Sequence, residues 1–140
     1  MKRLLVTGGA GFIGSNFIRH ILNKYRDYHI INLDKLTYCG NLGNLKDCQS
    51  NKNYRFIKGD IADAKLVERL VKSCDAVINF AAETHVDRSI QDPDCFVKTN
   101  MLGTHVLLEA AKRHLVRLFV QVSTDAVYGS RLKGAFTEEA

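Results

Sequence analysis

The sequence predicts a doubly wound α/β fold: a parallel sheet with helices on both faces. Three observations predict it. Short apolar runs alternate with stretches of helical period over the 140 residues. Strands separated by helices require crossover connections, which are right-handed and favour parallel pairing. A glycine-rich turn joins the first strand to the first helix at Gly8, Gly11 and Gly14.

Residues 3–7 (RLLVT) read as a buried strand, because the run is apolar and short. The next apolar positions, Phe12, Ile13, Phe17, Ile18, Ile21 and Leu22, recur on one helical face up to about Tyr25. Residues 29–33 (HIINL) form a second strand, followed by a loop over 37–41 and a short helix near 42–46. Residues 54–58 (YRFIK) give the third strand. Asp63 caps the next helix, whose Leu66, Val67, Leu70 and Val71 face the sheet. Residues 76–80 (AVINF) are strand four. A helix is expected over 96–113, with Val97, Met101, Val106, Leu107 and Leu108 among its apolar positions, and residues 118–123 are strand five. From Gly129 onward the chain turns polar and loses its period.

A length of 140 residues suits one domain that hides about 68% of its unfolded surface. With 46% hydrophobic and 25% charged residues and a single Pro, the composition is that of an ordinary globular chain. No apolar run approaches the roughly 18 residues of a membrane span, and residues 1–3 lead into only a short apolar stretch before Gly8, so a cytoplasmic chain without a membrane partner is expected. Cys39, Cys48, Cys74 and Cys95 form no C-x-x-C pair, so reduced thiols are expected rather than a zinc site or a disulfide framework. The formal charge of +5 could draw phosphate-bearing ligands. Its Lys and Arg residues are scattered, however, and no aromatic stacking series accompanies them, so no nucleic-acid partner is expected.

The turn TGGAGFIG carries the chemistry. A tight strand-to-helix turn needs conformations that a β-carbon penalises, and a diphosphate must approach its backbone closely. The helix amino terminus then offers unpaired N–H groups and the positive end of a dipole. Asp34 lies twenty positions beyond Gly14, at the end of strand two, where a carboxylate can accept hydrogen bonds from an adenosine ribose. Such a carboxylate repels a 2′-phosphate, which favours NAD over NADP, although Lys35 beside it tempers the preference. The alternative is a glycine-rich turn with a capping Asp. No G-K-S or G-K-T follows, which excludes an NTPase P-loop.

The glycine spacing, NFAA closing strand four and STDAVYG after strand five resemble the extended short-chain dehydrogenase/reductase family that works on nucleotide sugars. Within it, DKLTYCGNL, GDI, AAETHVDRSI and TNMLGT are similar to segments of the dTDP-glucose 4,6-dehydratases, in the same order. The resemblance implies a Rossmann-type fold, NAD as cofactor, and dehydration of dTDP-glucose to the 4-keto-6-deoxy sugar nucleotide. It implies that Gly8, Gly11, Phe12, Ile13 and Gly14 lie at the diphosphate and that Asp34, Lys35, Leu36 and Thr37 hold the adenosine side. Asp60 and Ile61 would flank the adenine, while Phe80, Ala81, Ala82, Thr84 and Thr99 would line the cofactor channel. Thr84 and Thr124 would meet the sugar, Thr124 would assist oxidation at C4, and Asp125 would be the acid for the departing oxygen. For Asp60 and Thr99 alone, a turn or helix cap explains the residue equally well. His85 and Asp87 are read as a polar loop wall rather than a metal or acid-base pair, and Arg88 equally as a structural partner for Asp87 or Asp92.

Two departures qualify the resemblance. Where those dehydratases carry Glu as elimination base, this sequence has Ala126, whose methyl group handles no proton. That makes a 4-epimerase-like protein, or an inert NAD-binding module, the alternative. Tyr128, the last tyrosine, begins no Tyr-x-x-x-Lys pattern. Residues 1–140 are therefore expected to be the NAD-binding portion, with the part that grips the nucleotide sugar absent and no turnover by this chain alone. In a 3-2-1-4-5 sheet, strand five would lie at an edge, and a homo-oligomer formed through it is expected.

Overall fold

The computed structural model describes residues 2–139. Five strands, β1 (Lys2–Thr7), β2 (Tyr28–Asp34), β3 (Tyr54–Lys58), β4 (Ala76–Asn79) and β5 (Leu118–Gln121), form one sheet in the order β3-β2-β1-β4-β5. Every pairing is parallel; Leu5 lies opposite Ile31 on one side and Val77 on the other. The expected order and sense are borne out.

The strand period of two sorts the apolar side chains onto two faces. Leu4, Val6, Ile30 and Ile78 meet Ile18, Ile21 and Leu22 of α1 (Phe12–Lys24) and Leu45 of a 3₁₀ segment over Leu42–Cys48. Leu5, Leu33 and Val77 meet Val67, Leu70 and Val71 of α2 (Ala64–Val71) and Leu107 of a later helix on the opposite face. Two separate cores therefore clamp the sheet, which is why its strands read as nearly continuous apolar runs. Asp63 caps α2 as expected, its carboxylate accepting from the Leu66 N–H at 3.0 Å. Arg19 of α1 reaches Asp47 at 2.7 Å and the Asn44 carbonyl at 2.6 Å, tying the 3₁₀ segment to α1.

Two expectations need correction. The segment after β4 is not a loop: α3 spans Val86–Gln91, with His85 just before it. Its six residues offer only one apolar pair at helical spacing, Val86 and Ile90, both exposed, too little to mark a helix by period. The helix expected over 96–113 begins earlier, as α4 (Pro93–Phe96). It passes through a π-helical stretch, Val97–Gly103, and resumes as α5 (Thr104–Arg113). Pro93 suits a first turn because its missing N–H has no helical partner there. The widened stretch has no sequence signature of its own.

Candidate dinucleotide site

The carboxyl ends of β1, β2, β3 and β4 converge on a crevice at the point where the strand order reverses, the usual ligand position in open α/β sheets. Gly8, just after β1, has φ +66°, and a β-carbon there would lie 2.6 Å from the Ala81 nitrogen. The turn after β1 thus lies directly against the segment after β4, and only glycine permits both the angle and the approach. A β-carbon on Gly14 would meet the Gly8 carbonyl oxygen at 2.5 Å, so Gly14 sets how closely α1 packs on the turn.

Beneath the turn lies a polar string in an otherwise apolar layer. The Thr7 hydroxyl donates to Asn79 Oδ1, whose amide in turn donates to Gln121 Oε1 at 2.8 Å. Asn79 Oδ1 also accepts from the Ala81 N–H at 3.2 Å. Thr7 and Asn79 are fully buried, so these bonds satisfy groups that would otherwise be orphaned, and they fix where the chain leaves β4. Nothing in the apolar reading of the two strands marks this string.

Asp34 is buried at the end of β2. Its Oδ2 accepts from the Ala10 N–H and its Oδ1 from the Leu36 N–H, each at 2.8 Å. It therefore does what the capping alternative requires, and it also lines the crevice, its two oxygens keeping further acceptor capacity. Leu36 adopts a left-handed φ of +59°, stabilised by the bond to Asp34. It serves as the bend of the loop, while Lys35 and Thr37 line the crevice. Lys35 Nζ is 2.9 Å from Asp60 Oδ2, and the carboxylate holds the ammonium above its ordinary pKa. Asp60 also accepts from the Ala62 N–H at 2.9 Å, so the turn reading and the lining position hold together.

Gly8, Gly11, Asp34, Lys35, Thr37, Asp60, Ile61, Phe80, Ala81, Ala82 and Thr99 are all brought to the crevice. Phe12 and Ile13 are exposed at the start of α1, and with Gly14, Leu36 and Thr84 they lie outside the lining. Thr124, just beyond β5, accepts from the Ala126 N–H at 3.2 Å at the start of a 3₁₀ turn over Asp125–Tyr128. The side chain of Asp125 lies outside the described residues. Arg88 pairs with neither Asp87 nor Asp92. Its guanidinium lies 4.2 Å from the centre of the Tyr38 ring, and His85 meets the same ring edge-on at 6.5 Å. Stacking on a phenol through space is invisible in spacing along the chain.

Leu33, Cys39, Gly40, Gly59 and Glu83 also line the crevice; Cys39 was read only as a reduced thiol, and Glu83 lies within the 80–84 segment expected along the cofactor channel. Glu83 had a signal: an acid directly after the apolar Phe80–Ala82 run. It is buried, and its Oε2 has no hydrogen-bond partner among the described residues.

The crevice fits a dinucleotide on three counts. The glycine turn gives backbone access. Gly11 supplies no side-chain cap, and no acidic residue stands in the first turn of α1, so its N–H groups face an incoming anion unopposed. Glu83 offers a buried acceptor awaiting a donor. Among the described residues, no three His, Cys, Asp or Glu side chains could hold a metal ion, and no helix is long and apolar enough to cross a membrane.

The family model for GDP-mannose 4,6 dehydratase matches residues 5–140. The chain belongs to this family. As a member of it, the chain is the N-terminal part of an extended short-chain dehydrogenase/reductase. It is 54% identical over 142 aligned residues to a dTDP-glucose 4,6-dehydratase of Streptomyces niveus, covering 99% of this chain and 42% of the relative. A crystal structure of a dTDP-glucose 4,6-dehydratase double mutant from Streptomyces venezuelae, with NAD bound, is 49% identical. It superimposes with a TM-score of 0.92 over 98% of this chain and 44% of its own. A UDP-Glc/GlcNAc 4-epimerase from Campylobacter jejuni is 31% identical with a TM-score of 0.88, over 99% and 42% respectively. The chain thus spans less than half the length of the relatives it matches.

Proposed function

We propose that this chain is the NAD-binding portion of a nucleotide-sugar 4,6-dehydratase that converts dTDP-glucose to its 4-keto-6-deoxy product. The observation that carries the reading is the crevice at the sheet's switch point, with its glycine turn and its acid at the end of β2, in a chain 54% identical to a relative of that name. NAD, when bound, supplies a hydride acceptor that can later return the hydride. The chain's own residues seat and orient it. The first turn of α1 receives the diphosphate, Asp34 receives the adenosine ribose hydroxyls, and Asp60 and Ile61 border the adenine. Thr124 presents a hydroxyl to the sugar C4 oxygen, and Asp125 is the proton donor to the oxygen leaving C6. Thr84 offers a further hydroxyl to the sugar.

Ala126 favours a second reading. It brings no proton-transfer group to the 3₁₀ turn after Thr124, and a missing general base removes about 10² to 10⁴ in rate. A 4-epimerase-like protein needs no elimination step, and the likeness to the Campylobacter jejuni epimerase is compatible with it.

Cys39 provides the test, since it is exposed and lines the crevice. Saturating NAD should slow its alkylation at least several-fold, as followed by mass spectrometry, and calorimetry should give a saturable heat with NAD and none with an oligonucleotide. Unchanged Cys39 labelling together with no NAD heat would refute the reading. Incubation with dTDP-glucose then separates the two enzymatic readings, because only a dehydratase yields a 4-keto-6-deoxy product.

A further inference from the structure

Asp34 stands where an acid reads the ribose, and Lys35 follows it where many dinucleotide folds place a cation for a 2′-phosphate. The two neighbours thus pull selectivity in opposite directions. The geometry resolves the conflict through a third residue. The register that sets Asp34 opposite Lys58 brings Asp60, just past β3, to the end of β2, and the Gly59 N–H donates to the Asp34 carbonyl at 3.0 Å. Asp60 Oδ2 sits 2.9 Å from the Lys35 ammonium and 3.8 Å from that of Lys98, while Oδ1 accepts from the Ala62 N–H at 2.9 Å. Asp60 is the better buried partner of the pair, with a side chain 22% exposed against 49% for Lys35. The anchored carboxylate therefore dictates where the flexible ammonium rests. A cation neutralised at that distance offers little attraction to a second anion.

We propose that Asp60 is a specificity-determining residue: by holding Lys35 it withdraws the cation adjoining Asp34 from the ribose 2′ position and keeps the crevice selective against a 2′-phosphate. This rests on the dinucleotide reading above and adds to it the means of discrimination.

The test compares the chain with Asp60→Asn, whose amide oxygen can still accept from the Ala62 N–H, in calorimetric titrations with NAD and NADP at fixed ionic strength. Any contact of residue 60 with adenine affects both dinucleotides alike and cancels in the ratio of affinities. That ratio is expected to move about three- to fivefold toward NADP, the range of a partly exposed ion pair. Adding Lys35→Ala to Asp60→Asn should return it to the starting value. An unchanged ratio with NAD still bound would overturn the proposal, as would a shift that survives in the double variant, which would point to Lys98 or to the lost carboxylate charge itself. Failure of the unaltered chain to bind either dinucleotide would instead overturn the NAD reading, and this proposal with it. Should Asp60→Asn lower the melting temperature markedly, Asp60→Ser serves in its place, since a hydroxyl also accepts from Ala62.

Discussion

Asn100 holds the backbone of Glu83 at both ends of one residue: its Oδ1 accepts from the Glu83 N–H and its Nδ2 donates to the Glu83 carbonyl, each at 2.8 Å. The π-helical stretch carries Asn100, and the segment it grips lines the crevice, so the irregular helix positions the wall of the site. π-Helical turns are commonly found where a helix serves function rather than packing alone.

Replacing Asn100 with Ala removes both bonds and leaves the Glu83 amide and carbonyl to find water. The expected cost is about 1–2 kcal/mol in urea unfolding, and a larger proportional loss in NAD affinity, because the wall loosens more than the core. Equal losses in the two measurements would mean that the clamp is merely structural.

Gly8 and Gly129 both have positive φ, +66° and +78°, but only Gly8 is crowded, since a β-carbon at Gly129 meets nothing within 4 Å. Gly129→Ala should therefore cost only backbone strain, about 1–3 kcal/mol for a conformation nearly confined to glycine (φ +78°, ψ −150°), whereas Gly8→Ala should add a collision with the backbone of Phe80 and Ala81, costing more and abolishing NAD binding. Thermal melts of the two variants side by side provide the check.

Burial pushes the Asp60 carboxyl upward, but the Ala62 N–H and the Lys35 and Lys98 ammoniums outweigh it and hold the group below the usual 3.8. A carboxylate with a depressed folded-state pKa contributes stability above its unfolded value and loses it as the pH falls through the folded one. The stability gap between the unaltered chain and Asp60→Asn should be constant from pH 7 to about 5 and close below about 4. A gap that widens in acid would contradict the assignment.

Burial pushes the Cys74 thiol up to about 11, so it stays protonated at pH 8, while Cys39 is exposed. Iodoacetamide at pH 8 should modify Cys39 well before Cys74, with the order read by peptide mass spectrometry. Early modification of Cys74 would show that the face carrying α2 and α5 opens readily.

The sheet was legible because Leu4, Leu5, Val6, Ile30, Leu33 and Val77 sit in short apolar runs between helical periods, and Asp63 could be recognised as a cap from its place alone. The glycine turn was legible for the same reason, since its spacing is a local property. What escaped depends on partners distant in sequence. Thr7 meets Asn79 on the neighbouring strand, Arg88 meets a Tyr38 fifty residues earlier, and the Glu83 backbone is held by Asn100. Asp34 shows the intermediate case: its position was readable, but its two backbone donors at Ala10 and Leu36 emerge only in three dimensions.

β1 is the middle strand, yet its two neighbours lie at very different distances along the chain: Leu5 faces Ile31 in β2 and Val77 in β4. During synthesis on a ribosome, the first seam can close as soon as β2 has emerged, while the second waits for more than forty further residues and for Leu107 to cover Leu5. For that interval the nascent chain carries a half-sheet with one open flank and an unroofed apolar face. Translation speed through the segment between β2 and β4, and the supply of chaperones at the exit tunnel, should therefore govern how much of this polypeptide is recovered in soluble form.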